Sequence, residues 1–253
     1  TLCGPRDLIG ASASGMLVEG FEYPPAMGVP YNLPYYDALL KAAGMEKDSD
    51  HLSGYVRSDH ELSPRFWKVA AQVQAHRGLT IKSFSSKAEM RAWIPRVAQV
   101  YAEGFRGNYG YFPMTDDEFM VAGEAIIALA DPHLMQLVLR GEQVVGFLFA
   151  YPNIGAGLRR ARGHLWPLGW AHILWSQHHT RLLDVNGVGL LPSAQGAGAN
   201  VMLYTQLART LQSYRFDYAD VVQVDEHNAR SQADMEAIGV TWYKRHRTYR
   251  KTL

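Results

Sequence analysis

The sequence has one cysteine, almost no net charge and no long apolar run, and each of these shortages excludes a class of protein. Cys3 alone can form neither a disulfide framework nor a multi-cysteine metal site. The 25 Lys and Arg against 24 Asp and Glu leave a formal net charge of +1, so no overall field attracts nucleic acid. No apolar run approaches the ~18–20 residues of a transmembrane helix. We expect a globular protein without a metal ion, a nucleic-acid partner or a membrane span.

The start of the chain and its single cysteine bear on location. The chain begins at Thr1, and the basic and apolar segments of a secretory signal do not follow. We therefore expect a trimmed chain rather than a secretory precursor. A lone cysteine fits a reducing compartment, so the predicted location is cytoplasmic.

The composition is that of a folded domain. Hydrophobic residues make up 47% of the 253 residues and charged residues 19%, the reverse of the balance that keeps a chain disordered. From Leu79 the apolar periodicity predicts a strand, two helices, a hairpin, a strand, a helix, a strand, a helix and a final strand. This order predicts the α/β class. The basic run Tyr243–Lys251 in the last strand is interpreted as a charged edge that resists aggregation.

Two distant segments share a pattern of helix, glycine and strand. Ala38–Gly44 followed by Tyr55 parallels Ala233–Gly239 followed by Tyr249. Chance is one explanation, and a partial second copy of the same fold is the other. The second explanation predicts a partial degenerate unit, a linker helix and the main domain, at residues 1–62, 63–78 and 79–253.

A glycine-rich turn between a strand and a helix is the most informative stretch of the sequence. The strand over Leu182–Leu191 ends at Pro192, the turn Gln195–Gly198 follows, and a helix begins at once. Such a turn directs unpaired backbone N–H groups and the positive end of the helix dipole to one point, which forms an anion site suited to phosphate. Because glycine has no Cβ, a ligand can approach the backbone closely.

Two common phosphate-binding motifs do not fit this turn. A P-loop requires Lys and then Ser or Thr after the second glycine, where Ala199 and Asn200 stand. A dinucleotide-binding fingerprint requires a third glycine, which the stretch to Val201 lacks. A tight structural turn without a ligand is the alternative interpretation of the two glycines alone.

With the elements around it, the turn resembles that of the GNAT superfamily of acyl-CoA-dependent N-acyltransferases. The family pattern is Gln/Arg-x-x-Gly-x-Gly/Ala, and Gln195–Asn200 matches its first two fixed positions but has Asn at the third. The order of elements over 79–253 matches as well, and residues 1–57 resemble a bacterial tandem-GNAT branch whose first unit is degenerate. The resemblance implies a mixed, mostly antiparallel sheet with flanking helices and a splay between central strands.

The resemblance also implies a co-substrate, acetyl-CoA or another acyl-CoA, and an amine acceptor on a small molecule or a protein. The CoA pyrophosphate would lie on the turn, and its pantetheine would run along the end of the preceding strand. The thioester would lie where this strand diverges from Val221–Val224. The implied contacts are Gly189, Leu190, Leu191, Gln195, Gly196, Ala197, Gly198, Ala199, Asn200 and, at the start of a later helix, Asn228.

The catalytic groups depart from the family pattern. The family usually has Tyr seven residues after the Asn, as the acid for the departing thiolate, but Met235 stands there. A non-catalytic module that binds CoA or an acyl carrier, and thioester chemistry other than amine acylation, therefore remain alternatives to an N-acyltransferase. Solvated carboxylates or helix caps are the alternative for the acidic candidates. The candidate groups for proton transfer are Asp225, Glu226 and Tyr243, with Asp184, Tyr204 and Tyr249 as further ones.

Residues 156–181 are basic and aromatic. They hold four Arg, four His, three of the six Trp and no acidic residue, and one helix is predicted over Leu168–His178. Because no Cys or carboxylate accompanies the histidines, they do not predict a metal site. A helix that closes the core with its Trp side chains inside is one interpretation. A cover over a hydrophobic acceptor or acyl chain is another, and contact of 163–179 with an anionic membrane surface is the third.

Overall fold

A computed structural model describes residues 1–6 and 13–253, and residues 7–12 of the first predicted unit lie outside the described part. The described strands are β1 Leu2–Gly4, β2 Met16–Glu19, β3 Glu46–Arg57, β4 Leu79–Ser83, β5 Gln136–Arg140, β6 Gln143–Pro152, β7 Leu182–Leu190, β8 Tyr218–Asp225 and β9 Thr241–Lys251. The described helices are α1 Tyr36–Ala42, α2 Pro64–His76, α3 Lys87–Phe105, α4 Asp116–Leu129, α5 Gly155–Ala161, α6 Gly169–His179, α7 Ala199–Ser213 and α8 Ala229–Ala237. The predicted α/β class with a mostly antiparallel sheet and flanking helices is confirmed.

The described chain divides into two compact units made of non-contiguous segments. Unit 1 comprises Thr1–Val56, Asn153–Asp184 and Asp220–Leu253, and unit 2 comprises Arg57–Pro152 and Val185–Ala219. Strands β7 and β8 therefore each contribute residues to both units. Compactness does not test the predicted domain boundaries or the predicted splay, which stay predictions.

Unit 1 contains the strand order β1-β9-β3-β8, with β2 also paired to β9. β9 is antiparallel to its three partners, so the interpretation of Tyr243–Lys251 as an edge strand is wrong. Two basic side chains of β9 instead bind carboxylates on its neighbours: Arg247 binds Asp50 on β3 and Arg245 binds Glu19 on β2. These arginines of β9 therefore form ion pairs with neighbouring strands of unit 1.

The helix–glycine–strand pattern found twice in the sequence has the same local structure both times. The N–H of Met45 donates to Leu40, and the N–H of Val240 donates to Met235, so each helix ends in the same six-residue closure. The glycine before each donor, Gly44 or Gly239, has a left-handed backbone. The strands that follow, β3 and β9, pair with each other antiparallel. A shared local structure agrees with a repeated unit.

Unit 2 contains the strand order β7-β6-β5-β4, with α2, α3 and α7 packed against the strands and α4 packed against α3. The hairpin of β5 and β6 is antiparallel, as the sequence predicts. Thr115 begins α4 with a capping box: its side chain accepts from the N–H of Glu118, whose carboxylate accepts from the N–H of Thr115. Apolar side chains from strands and α7 form the core, including Leu79, Leu137, Val138, Phe147, Leu148 and Leu203.

Where the sequence predicts one helix over Leu168–His178, the structure has two, α5 and α6. The first is missed because Gly155 and Gly157 disfavour a helix in isolation. Packing against the second helix supplies the stabilisation that the local sequence lacks, since a Cβ on Gly157 would lie 2.6 Å from the carbonyl oxygen of His172.

Candidate functional site

The predicted phosphate-binding turn lies in unit 2 between β7 and α7. A 3₁₀ turn over Pro192–Ala194 follows the strand, and α7 begins at Ala199. Gly196 and Gly198 both have left-handed backbones, with φ of 71° and 88°. Gln195 and Gly196 are exposed, and Gly198 is half-buried. The bend is therefore open to solvent at the N-terminal end of a 15-residue helix.

The backbone N–H groups of the turn fall into two sets. Those of Ala194, Gln195 and Ala197 each donate to the carbonyl oxygen three residues earlier, at 2.9, 3.3 and 3.2 Å. Those of Gly196 and Gly198 donate to no protein acceptor within residues 1–6 and 13–253. An exposed N–H at a helix N-terminus with no protein acceptor is suited to an anionic ligand. Within Gln195–Gly198, the donors suited to a ligand are therefore the N–H groups of Gly196 and Gly198.

The two glycines of the turn are required for different reasons. A Cβ on Gly198 would lie 2.5 Å from Cγ2 of Val73, so packing of α7 against α2 excludes a side chain there. A Cβ on Gly196 would meet no atom within 4 Å. Space outside Gly196 is open, and the left-handed backbone is what favours glycine at that position.

The end of β7 carries the predicted pantetheine contacts. The N–H of Leu191 donates to the carbonyl of Val145 at 2.9 Å, so its main chain is directed toward β6. Backbone groups of successive strand residues alternate between the two edges, which directs the N–H of Leu190 to the other edge. Gly189 is buried, and a Cβ there would lie 2.6 Å from the ring of Phe147. Because Gly189 has no side chain, the Phe147 ring can pack directly against the backbone at the end of β7.

In unit 1, β8 contains a left-handed residue within the segment Val221–Val224, where the sequence predicts divergence. Gln223 has φ of 53°, an uncommon value for a residue with a side chain. Its N–H donates to Ser53 Oγ at 3.1 Å, and its side-chain amide exchanges two hydrogen bonds with the backbone of Ser14. Residues held in such conformations by their surroundings cluster at functional sites. The residues that follow Gln223 include the predicted acids.

A cluster of polar side chains surrounds Asp225, the last residue of β8. Ser49 Oγ donates to one carboxylate oxygen of Asp225 at 2.8 Å, and the other lies 2.9 Å from Nδ1 of His227. Nδ1 also lies 3.3 Å from Ser49 Oγ. Because the Ser49 proton points to Asp225 and an ionised carboxylate has none, Nδ1 of His227 carries the proton. The His227 side chain is 53% exposed.

Glu226 lies in an ion-pair network. Its carboxylate accepts from Lys47 Nζ at 2.7 Å and from the backbone N–H of Asp50 at 2.9 Å. Burial alone would raise the pKa of the Asp50 carboxyl, but hydrogen bonds from Arg247, Arg245 and Lys47 lower that pKa well below its ordinary value. The network joins the end of β8 to β3 and β9, which gives Glu226 a structural role.

Tyr243 faces a buried carboxylate. Its hydroxyl donates to Oδ2 of Asp220 at 2.6 Å, and Lys244 Nζ lies 3.5 Å from the same oxygen while donating to the carbonyl of Pro24 at 2.7 Å. Burial, with the charge of Asp220 beside it, raises the pKa of Tyr243 far above its ordinary value. The Tyr243 proton is therefore held by Asp220 in this structure.

Asp184 forms the second half of this buried polar centre. It is fully buried at the start of β7 and accepts from the N–H of Met27 at 2.9 Å and from Asn153 Nδ2 at 2.9 and 3.0 Å. Burial raises the pKa of Asp184 to about 7. Because no surface of Asp184 is exposed, it does not contact solvent or a bound substrate in this structure.

The remaining predicted residues have clear structural partners. Asn228 begins α8, and its side-chain oxygen accepts from the N–H of Ser231 at 3.1 Å. Met235 is buried in the core. Tyr204 is buried too, and Tyr249 is fully buried and donates to Asp37. His227 is a candidate for proton transfer that the sequence analysis did not include. Its position two residues after Asp225, at the end of a predicted strand, could have indicated that the two side chains lie close together.

Two structural findings concern the described residues alone. Within residues 1–6 and 13–253, no group of three or more His, Cys, Asp and Glu side chains is arranged to hold a metal ion. In the same part of the chain, no helix combines the length and the apolar character needed to cross a bilayer.

No protein-family model matches the chain, but two curated proteins are similar to it. It is 26% identical over 259 residues to Protein YghO of Escherichia coli K12, an alignment that covers 100% of this chain and 66% of that protein. It is 23% identical over 265 residues to the bacterial ceramide synthase of Caulobacter vibrioides, covering 99% and 66%. The chain thus spans 66% of the length of each relative.

Solved structures share the fold at low sequence identity. A tandem GNAT protein from the clavulanic acid biosynthesis pathway matches with a TM-score of 0.55 and 9% identity, over 93% of this chain and 62% of that one. A GCN5-related N-acetyltransferase from Sphaerobacter thermophilus matches with a TM-score of 0.52 and 15% identity, over 90% and 58%. The glucosamine N-acetyltransferase region of a fungal multi-domain protein also gives 0.52, at 11% identity over 84% and 22%.

Proposed function

Because the chain has the fold of the GNAT superfamily, as the sequence predicts, we propose that it transfers an acyl group from acyl-CoA to an amine. The observation that carries this proposal is the exposed turn Gln195–Gly198. Two of its N–H groups, on Gly196 and Gly198, have no protein acceptor among the described residues, and the N-terminus of α7 follows. The diphosphate of CoA is an anion of the kind that such a turn binds.

For the acceptor we propose a long-chain amino alcohol. The name of one relative, bacterial ceramide synthase, supports this choice. A ceramide is the amide of a fatty acid with a long-chain amino alcohol, so its synthesis is an N-acylation. Amide formation from a thioester and an amine is the reaction that the fold neighbours named as N-acetyltransferases also perform.

The proposed reaction needs one proton removed and one supplied. The amine nitrogen attacks the thioester carbonyl carbon, the C–N bond forms, and the C–S bond breaks to release CoA thiolate. The nitrogen loses one proton, and the thiolate takes one up. A thiol has an ordinary pKa near 8.5, so the thiolate can leave without a dedicated acid. The buried Met235 at the usual Tyr position is therefore compatible with transfer.

His227 is proposed as the group that accepts the amine proton. The Asp225 carboxylate lies 2.9 Å from Nδ1 of the ring and orients it. A carboxylate that orients a histidine in this way also stabilises the imidazolium that forms. Asp225 is thus a positioning residue in this proposal, and His227 is the base.

We expect His227→Gln to lower kcat by roughly 10²–10⁴-fold, the usual contribution of a general base. The measurement is kcat for acyl transfer, followed by release of CoA thiol. Asp225→Asn should also lower kcat, because no carboxylate then orients the His227 ring. His60→Gln changes another exposed histidine and serves as the control. An unaltered kcat in His227→Gln would remove the assignment.

The overall proposal is tested by release of free CoA thiol. Acetyl-CoA and palmitoyl-CoA are each mixed with the protein and either a short soluble amine or the long-chain amino alcohol sphinganine. We expect thiol release with sphinganine, together with the corresponding amide by mass spectrometry. Failure to bind either acyl-CoA would contradict the proposal.

A second candidate function is binding without catalysis. The observation that favours it is the position of the usual acid, which Met235 fills as a buried core residue, while Tyr243 donates to Asp220. In that case CoA binds tightly and no acceptor in the panel releases thiol. The same assay therefore separates the two candidates.

A further inference from the structure

Helices α5 and α6 of unit 1 pack through small side chains. Gly157, Ala161 and Ser176 are buried where the two helices meet. A Cβ on Gly157 would lie 2.6–2.9 Å from His172 O, Ile173 Cα and Ser176 Cβ, so the two backbones approach closely. We call residues 155–179 the helical hairpin. Its inner surface is therefore made of its smallest residues.

The outer surface of the helical hairpin carries its largest apolar residues. Trp166 is 81% exposed, Leu165 is 65% exposed and Leu168 is 63% exposed. Three further large side chains on α6 are about half exposed, Trp170, Leu174 and Trp175. The interpretation in which the Trp side chains close the core is therefore wrong. Six large apolar side chains exposed within one short segment mark a candidate interaction site.

The helical hairpin is also positively charged. Arg159, Arg160 and Arg162 are exposed, and no Asp or Glu occurs from Gly155 to His179. Arg160 also lies over the ring of Trp175, with the guanidinium carbon 5.0 Å from the ring centroid. Arginine interleaved with Trp and Leu is the combination that binds at the interface of an anionic bilayer.

We propose that the helical hairpin docks this protein on an anionic lipid surface. Trp166 and its neighbouring leucines insert at the level of the headgroups, and the arginines contact lipid phosphates. This inference goes beyond the proposed acyl transfer and does not depend on it, because binding to a membrane requires no turnover.

Charge favours a lipid surface over a second copy of the chain. In a symmetric dimer through this face, the same patch on each subunit would meet its counterpart, and the three arginines of one hairpin would meet the three of the other with no acidic hairpin residue between them. An anionic bilayer instead supplies the opposite charge together with apolar volume for the Trp side chains. The surface therefore fits a membrane better than it fits itself.

The test is flotation of the full chain with vesicles. One set is pure phosphatidylcholine, and in the other about a third of the lipid is phosphatidylglycerol. We expect binding to the anionic vesicles and a fall in binding as salt is raised, because salt screens the arginines. Absence of binding to anionic vesicles at low salt would overturn the proposal.

Two variants and a matched control locate the docking surface. Leu165→Ser with Trp166→Ser should lower vesicle affinity at least tenfold, and Arg159→Gln with Arg162→Gln should lower it roughly fivefold for each arginine. The control, Leu33→Ser with Leu39→Ser, changes two leucines of unit 1 that are also more than half exposed. Equal binding of the Leu165/Trp166 variant and the control would overturn the assignment. So would a dimer of the native chain that this variant converts to monomer without any vesicle binding.

Isothermal titration of CoA distinguishes failure of this proposal from failure of the proposed function. The hairpin variants should retain the native affinity for CoA, because no lipid takes part in CoA binding. A chain that floats with vesicles but transfers no acyl group would leave the docking proposal in place and remove the catalytic one.

Discussion

Asp220→Asn should lower the free energy of unfolding by about 3–5 kcal/mol, the usual cost of removing one partner of a buried ion pair. Asp220 is fully buried and Lys244 is 4% exposed. The substitution keeps the size of the side chain and an oxygen for the Tyr243 hydroxyl, but it removes the charge that faces the Lys244 ammonium. Pro24 O would remain as a neutral acceptor at 2.7 Å. The measurement is urea unfolding near pH 7, where about 1 kcal/mol or less would show that Lys244 does not depend on Asp220.

Asp184→Asn is the matched control, because the same change in the same buried centre should have the opposite consequence. Burial raises the pKa of Asp184 to about 7, above its ordinary value of 3.8. The folded state therefore holds a proton that the unfolded state releases between about pH 4 and about pH 7, so this carboxyl makes stability fall as pH rises through that window. In Asp184→Asn, the part of the pH dependence of unfolding free energy that comes from this carboxyl should disappear. Near pH 8 we expect the variant to be at least as stable as the native chain. If the unfolding free energy of the variant fell with rising pH as steeply as that of the native chain, the raised pKa of Asp184 would be contradicted.

Local sequence signals were sufficient for the elements that frame the turn. Pro192 ends a strand, Gly196 and Gly198 adopt the left-handed backbone that glycine favours, and α7 follows with apolar residues at helical spacing. Thr115 and Glu118 likewise specify the start of α4 by themselves. Such signals involve residues a few positions apart, and they can be read without knowledge of distant partners.

The polar interior of unit 1 could not be predicted in the same way. Lys244, His246 and Thr248 alternate along β9 as buried polar residues, a pattern that in sequence is indistinguishable from a charged edge. Their burial depends on partners brought together from distant parts of the chain, such as Asp220 for Lys244 and Pro30 O for His246. Contacts with residues distant in sequence decide whether each polar side chain of β9 is buried or exposed. The sequence pattern alone shows only that polar residues alternate along the strand.

The tryptophans of the helical hairpin show the opposite error. A general preference for buried aromatic residues favoured Trp166 and Trp175 inside, but Gly157 and Ser176 occupy the contact between the helices. Close approach of two backbones leaves no volume for a Trp side chain there. The small residues were visible in the sequence, and their spacing could have indicated that the large residues lie outside.

Gly196→Asp should weaken CoA binding roughly 10–100-fold relative to Gly196→Asn, because a carboxylate beside the turn repels the diphosphate while the isosteric amide does not. Asn and Asp both tolerate the left-handed backbone better than other residues with side chains, so the two variants should carry similar strain. Gly196 is the informative position because a Cβ there would meet no atom within 4 Å. A side chain at Gly198 would strike Val73, so lost binding in a Gly198 variant would not separate damage to packing from damage to the anion site.

Isothermal titration of CoA into both Gly196 variants measures this difference, and thermal unfolding of each checks that the strain is equal. Raising the salt concentration should reduce the difference in CoA affinity between the two variants, because the repulsion acts between exposed charges. If the diphosphate lies on the turn, the difference in CoA affinity between the two variants is electrostatic and therefore depends on salt. Equal affinities at low salt would place the CoA phosphates elsewhere, and the two amides without a protein acceptor would then be features of a structural turn.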